Sequence, residues 1–224
     1  MTKQHSKKKV ISGLNEVREI FENVYVLTDL EGKERLATKN LVKGNRVYGE
    51  RLYQVKKEEY RSWPPYRSKL SAAIKKGLKL MPIRPGSSVL YLGASTGTTA
   101  SHVSDIVGTK GIVYCIEFSP QMMAKLIQLC KLRSNMVPIL ADARKPKSYA
   151  RYIKSKVDVI YEDVAQPDQA KILMKNAEMY LKKRGYAMLA IKSQSIDVTR
   201  KPKEVYEETK KGLIDRFEIL QEIG

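Results

Sequence analysis

From Val89 onward the sequence alternates short apolar runs with stretches of helical periodicity, and few folds accommodate that alternation. The runs Val89–Leu92, Ile112–Ile116, Val137–Leu140, Val157–Tyr161 and Tyr186–Ile191 have the length and composition of strands. Thr98–Val107, Pro120–Leu132, Gln169–Leu181 and Lys203–Leu213 repeat apolar residues at helical spacing, and Ser148–Ile153 does so weakly. Parallel strands require crossover connections of this kind, and strands apolar on both faces are covered on both. The pattern predicts an α/β domain on a mostly parallel sheet, with a last short strand at Phe217–Leu220.

The first part of the chain has a different grammar. Residues 1–9 form a basic tail, expected to be mobile. Between Val17 and Trp63, segments such as Val24–Leu27 and Arg46–Tyr48 show partial alternation, punctuated by Asp29, Gly32, Gly44 and Gly49. That predicts a small β-rich domain over residues 1–63 and a second domain over 64–224, divided at Trp63-Pro64-Pro65. A helix is expected from Pro65 to Met81, with Leu70, Ile74 and Leu78 on one face and Pro82 and Pro85 stopping it.

Charge narrows the partners. Lys+Arg 42 against Asp+Glu 24 gives +18, which points to a polyanion. Residues 51–84 carry Arg51, Lys56, Lys57, Arg61, Arg67, Lys69, Lys75, Lys76, Lys79 and Arg84 against only Glu58 and Glu59. Such a field holds phosphates without reading sequence, and there is no base-reading motif to add to it. No apolar run approaches the roughly 18 residues of a membrane span and no signal peptide leads the chain, so a cytoplasmic protein is expected. Cys115 and Cys130 read as small buried hydrophobes, and with His5 and His102 they make no zinc-like spacing. His102, inside a helix, reads as a hydrogen-bonded packing residue.

The chemistry collects at strand ends. After Val89–Leu92, Gly93 and Gly97 permit a tight turn with close backbone approach, leading into Thr98 and Thr99 at a helix start. Glu117 closes the second strand, where a carboxylate accepts from a ribose diol, Asp142-Ala143 follows the third, and Glu162-Asp163 closes the fourth. Together they outline a nucleoside pocket, with Asp142 facing an adenine amino group. The turn lacks the fuller glycine pattern of a dinucleotide site and suits a smaller anion, the carboxylate of S-adenosylmethionine. Lys192 ends an apolar strand on the same edge, where a nearby carboxylate could orient its amine for proton transfer.

These residues resemble the fibrillarin family in its shorter, archaeal-type form. The resemblance is carried by Trp63–Leu70, Val89–Thr99, Ser101–Asp105, Glu117-Phe118, Asp142–Arg144, Asp158–Gln169, Ile191-Lys192 and Ser195–Asp197. The stretch Asp163-Val-Ala-Gln-Pro-Asp-Gln169 is its most specific part. The family resemblance implies a class I, Rossmann-like methyltransferase fold behind a small β domain. The implied activity is guide-RNA-directed ribose 2′-O-methylation of rRNA and tRNA with S-adenosylmethionine. It also implies a box C/D ribonucleoprotein, with a Nop-domain scaffold and a kink-turn-binding protein as partners.

Carried over by the resemblance, cofactor contacts fall on Gly93, Thr98, Thr99, Glu117, Phe118, Asp142, Ala143, Asp163, Val164, Ala165 and Gln166. The Lys-Asp-Lys set of related 2′-O-methyltransferases matches Lys69, Asp163 and Lys192. In this reading Lys192, held by Asp163, takes the hydroxyl proton and Lys69 offsets the growing negative charge; no metal is required. The sequence departs from the family at Gln221–Gly224, which come before the family's Asp-His pair and the strand that carries it. The sheet is therefore expected to lack its last strand. That departure supports an alternative, a non-catalytic RNA-binding scaffold with a methyltransferase-like fold; protein glutamine methylation is a third reading with less support.

Overall fold

The structure is a computed structural model, and it describes residues 13–191 and 202–224. The basic tail, Lys192 and Ser195–Asp197 lie outside the described residues.

The amino-terminal part is an antiparallel sheet of β1 (Leu14–Phe21), β2 (Val24–Asp29), β3 (Glu34–Lys39), β4 (Leu52–Val55) and β5 (Glu58–Ser62), in the order β1-β2-β3-β5-β4. Leu27, Ala37, Tyr53 and Tyr60 form its own small core. The strand expected at Arg46–Tyr48 is a turn instead. The buried Glu50 carboxylate accepts from the backbone N–H groups of Val47, at 3.0 Å, and Tyr48, at 2.9 Å, and this local bonding replaces a ladder.

The helix expected from Pro65 to Met81 is shorter. Pro65–Arg67 form a single 3-10 turn, Ser68 caps the next segment by accepting from Ser71 N–H, and α1 covers only Lys69–Lys75. It closes with a Schellman pair of bonds, Leu78 N–H to the Ala73 carbonyl at 3.0 Å and Gly77 N–H to that of Ile74 at 3.1 Å. Met81 and Ile83 are then buried from a non-helical connector.

The second sheet follows the predicted alternation: β6 (Ser88–Leu92), α2 (Thr98–Val107), β7 (Ile112–Glu117), α3 (Pro120–Cys130), β8 (Met136–Leu140), β9 (Val157–Glu162), α4 (Gln169–Tyr180), β10 (Leu181–Leu189) and α5 (Pro202–Lys211). The weak helix expected at Ser148–Ile153 is a 3-10 stretch over Pro146–Tyr152. The strands are all parallel, in the order β10-β9-β6-β7-β8. Along β6, Val89 and Tyr91 enter one core with Trp63, Leu70 and α2, while Leu90 and Leu92 enter the other with Tyr149, Ile172 and Leu173. Helical elements on both faces explain why the inner strands β6 and β7 are apolar along nearly their whole length, whereas the edge strand β10 carries exposed Lys182, Lys183 and Arg184 near its start. The chain runs outward from β6 to β8 and then returns to the other side of β6, so the carboxyl end of β6 lies at the topological switch, where ligands of such sheets bind.

Phe217–Leu220 is not a strand. This segment leads into Gln221, whose side chain accepts from Lys79 N–H at 2.9 Å and donates to the Gly77 carbonyl at 3.1 Å. Among the described residues, β10 has a sheet partner only in β9.

A buried charge network joins the two sheets. Arg61 donates to Glu50 at 2.7 Å and to Asp105 at 2.8 Å, and Arg133 donates to Asp105 at 2.6 Å; all four side chains are fully buried. Two cations are thus balanced by two carboxylates. Arg61, grouped with the phosphate-binding surface by sequence, is instead an internal tie between β5 and α2. His102 completes the joint, stacked on Trp63 at 4.7 Å, with Nδ1 2.7 Å from Thr38 Oγ1 and Nε2 2.7 Å from the Tyr48 hydroxyl. Because the Thr38 hydroxyl donates to Asp105, it accepts from Nδ1–H, and the Tyr48 hydroxyl, with one proton to give, stands between the bare Nε2 and the Ser62 carbonyl at 3.0 Å. Burial, then the charges of Arg61 and Arg133, hold the imidazole well below its usual pKa, and it stays neutral. The packing role read for His102 agrees with this position.

Candidate active site

The floor of the site is the turn from β6 to α2. Gly93 has φ +82°, and a Cβ there would meet the Asp163 carbonyl oxygen at 2.7 Å, so only glycine lets the two strand-end loops touch. Gly97, at φ +91°, faces Leu126 and Leu129 of α3, and a methyl group would stand 2.9 Å from Leu126 Cδ1. The turn therefore serves helix packing as well as ligand approach. Beyond it, the first-turn N–H groups of α2, from Thr98 and Thr99, have no acceptor within the helix and suit an anion. The Thr99 hydroxyl is itself committed, donating to Ser68 Oγ at 3.0 Å and tying α2 to the start of α1.

Glu117 ends β7 with its carboxylate fixed by two backbone donors, Ser95 N–H on Oε2 and Ser119 N–H on Oε1, each at 2.8 Å. Each oxygen retains acceptor capacity for a diol. Phe118, 65% exposed, offers a free aromatic face beside it. Asp142 follows β8 and is clamped by its own turn, accepting from Arg144 Nε at 3.0 Å and from Arg144 N–H at 2.9 Å. The Arg144 guanidinium holds its pKa below the usual value. An adenine amino group at Asp142 would share the carboxylate with Arg144. Ala143 and Val164 are buried, Gln166 half-buried and Ala165 exposed, so the loop after β9 presents a short apolar and polar rim.

The two acids closing β9 part company. Glu162 is fully buried, neither carboxylate oxygen has a hydrogen-bond partner, and burial followed by the charge of Asp168 pushes its pKa up to about 9. Asp163 instead reaches across the cleft, where Lys69 Nζ donates to its Oδ1 at 2.7 Å. The sequence reading grouped Lys69, Asp163 and Lys192; the structure brings Lys69 to Asp163 from the start of α1, behind the cap at Ser68, and Lys192 lies outside the described residues. The site thus combines a glycine floor, an amide-fixed glutamate and a lysine–aspartate ion pair on one edge of one sheet.

The sequence profile of fibrillarin matches residues 15–224. The chain belongs to the fibrillarin family. The fibrillarin-like rRNA/tRNA 2′-O-methyltransferase of Pyrococcus abyssi is 57% identical over 204 residues, covering 91% of this chain and 89% of the relative. The crystal structure of Aeropyrum pernix fibrillarin with natively bound S-adenosyl-L-methionine superimposes with a TM-score of 0.84 at 48% identity, covering 92% and 90% of the two chains. A fibrillarin/Nop5p complex matches with a TM-score of 0.80 at 42% identity, covering 91% of each chain. The family resemblance read from Val89–Thr99 and Asp158–Gln169 and the fold class it implied are therefore established. Among the described residues, no helix is long and apolar enough to cross a membrane.

Proposed function

We propose that this chain is the catalytic subunit of a guide-directed RNA 2′-O-methyltransferase that uses S-adenosylmethionine on rRNA and tRNA. The observation that carries the reading is the Lys69–Asp163 pair beside Gly93, a charged pair at the point where the two strand-end loops touch. The donor set suits the cofactor: amides at the start of α2 for its carboxylate, Glu117 for its ribose diol, Phe118 for an aromatic face, and Asp142 with Ala143 and Val164–Gln166 for the base end. When bound, S-adenosylmethionine supplies an electrophilic methyl group.

A ribose 2′-hydroxyl is a weak nucleophile, and the chain's own groups must raise its reactivity. Lys192 is assigned the proton and Asp163 the task of orienting the amines; Lys69 stabilises negative charge growing on the oxygen. Holding two reactants in line supplies the rest, a contribution that can reach about 7 to 11 kcal/mol. Guide pairing supplies target choice, since the chain has a basic surface and no base-reading module. The partners are the guide RNA and a Nop-domain scaffold, with a kink-turn-binding protein held indirectly.

The test is transfer of labelled methyl to a guide-paired RNA whose target ribose is either normal or 2′-deoxy, with and without the partner proteins. Transfer confined to the normal ribose is expected. Transfer to protein side chains alone, or RNA binding without any transfer, would replace this reading with one of the alternatives.

A further inference from the structure

Beside the start of α1 lies a cleft of about 860 Å³ that the reading above leaves unused. Its walls are the face of the amino-terminal sheet and the segment Pro64–Arg67, which runs directly into Ser68 and Lys69. Six cations line it; Arg18 and Arg35 are paired with Glu34 and Asp29, whereas among the described residues Arg51, Arg67 and Lys75, the three nearest Tyr66 in the chain, have no carboxylate within ion-pair distance. The acids that share the cleft are already engaged: Glu50 is buried against Arg61 and Glu34 lies 3.5 Å from Arg18.

Aromatic groups are interleaved with these cations. Tyr66 is 85% exposed, the greatest exposure of any large apolar side chain described. The Arg67 guanidinium sits 5.5 Å from the Tyr48 ring, a planar cation backed by an aromatic face. Tyr53 is 3% exposed, lines the cleft, and its buried hydroxyl has no hydrogen-bond partner. A buried unsatisfied hydroxyl in a cavity wall is costly unless a ligand atom or water meets it.

We propose that this cleft binds an unpaired nucleotide of the RNA that flanks the paired target, with a base stacked on Tyr66 and its phosphates held by Arg51, Arg67 and Lys75. The proposal rests on the RNA reading of the neighbouring site and adds to it a single-stranded path. Stacking on an open aromatic face requires a base that is not inside a helix, whereas duplex offers only phosphates and ribose edges. The continuity of Pro64–Lys69 places that nucleotide on the segment that also delivers Lys69 to Asp163.

The test is fluorescence anisotropy of the full chain at low salt with a short oligouridylate and with a blunt RNA duplex of equal length. Cofactor affinity and thermal unfolding are measured on the same variants. Tyr66→Ala is expected to weaken oligouridylate binding between about fivefold and a hundredfold, the range of one base–aromatic stack, and to leave duplex binding within about twofold. Tyr66→Trp should bind oligouridylate at least as well as the parent, which keeps the test open if the alanine variant folds poorly. Arg51→Ala with Arg67→Ala should weaken both RNAs. Equal loss on both RNAs in Tyr66→Ala, or no loss on either, would overturn the proposal. Weakened binding of a Nop-domain protein with RNA binding unchanged would assign the face to protein instead. Binding is read without methyl transfer, so failure of the catalytic reading is scored separately.

Discussion

Lys69 and Asp163 are 94 positions apart in the chain, yet their side chains meet at 2.7 Å with the aspartate 17% exposed and the lysine 42%. A pair so placed is too solvated to be a major source of stability and is better spent on chemistry. Asp163→Asn keeps the shape and removes the charge that orients the amine. Methyl transfer to guide-paired RNA is expected to fall about 10²- to 10⁴-fold in single turnover. Calorimetry should show cofactor affinity changed far less, and a variant that loses both equally would mean that Asp163 mainly holds cofactor.

Glu117 offers a separate readout for the cofactor end. Its two oxygens are fixed by Ser95 and Ser119 amides, so the side chain both receives a diol and braces the glycine turn. Glu117→Ala is expected to weaken S-adenosylmethionine binding by about tenfold to a hundredfold, the scale of hydrogen bonds to a charged group. Titration calorimetry checks it, and single-turnover transfer at saturating cofactor should recover most of the lost rate.

Much of this was legible in the sequence, for a physical reason. Strands covered on both faces are apolar along most of their length, and this is why Val89–Leu92 and Val157–Tyr161, interrupted only by Asp158, stand out and why acids at their carboxyl ends mark the site edge. Other features were lost where one residue type serves opposite ends. Arg61 and Arg67 look alike in a basic stretch, but the first is internal and paired with Glu50 and Asp105 while the second is exposed over Tyr48. The apolar period through Leu78 and Met81 outran the stop at Gly77, although Lys76-Gly77 carries a helix-end signal. Glu162 and Asp163 part because β9 ends at Glu162 and Asp163 already lies in the loop facing Lys69, a boundary that a strand buried on both faces does not mark in its sequence. The Lys69–Asp163 contact depends on how the two sheets dock, which no local pattern encodes.

That docking can be tested at Asp105. Its carboxylate accepts from Arg61, Arg133, Thr38 and the Leu41 amide at the junction of the sheets. Asp105→Asn leaves Arg61 and Arg133 buried with one carboxylate fewer, and removal of one partner from such a pair costs about 3 to 5 kcal/mol. Denaturant unfolding should show a loss of that order. Arg67→Ala, on an exposed side chain, should unfold close to the parent; equal losses would mean that the network is not what joins the sheets.

Glu162 makes stability depend on pH in a direction opposite to that of most carboxylates. Its native pKa, raised from the ordinary 4.5 to about 9, means the folded protein keeps a proton that the unfolded chain releases. Below about pH 4.5 both states hold it and the residue is neutral in effect. As pH rises from there to about 9, the native state binds more protons than the unfolded state, and stability falls by up to about 1.4 kcal/mol per pH unit. Glu162→Gln keeps the volume and cannot ionise. The difference in unfolding free energy between variant and parent should therefore grow from pH 5 to pH 8 in favour of the variant and level off above about 9. Parallel curves across that range would place a charged, solvated or paired carboxylate at Glu162 and remove the proton from this part of the core.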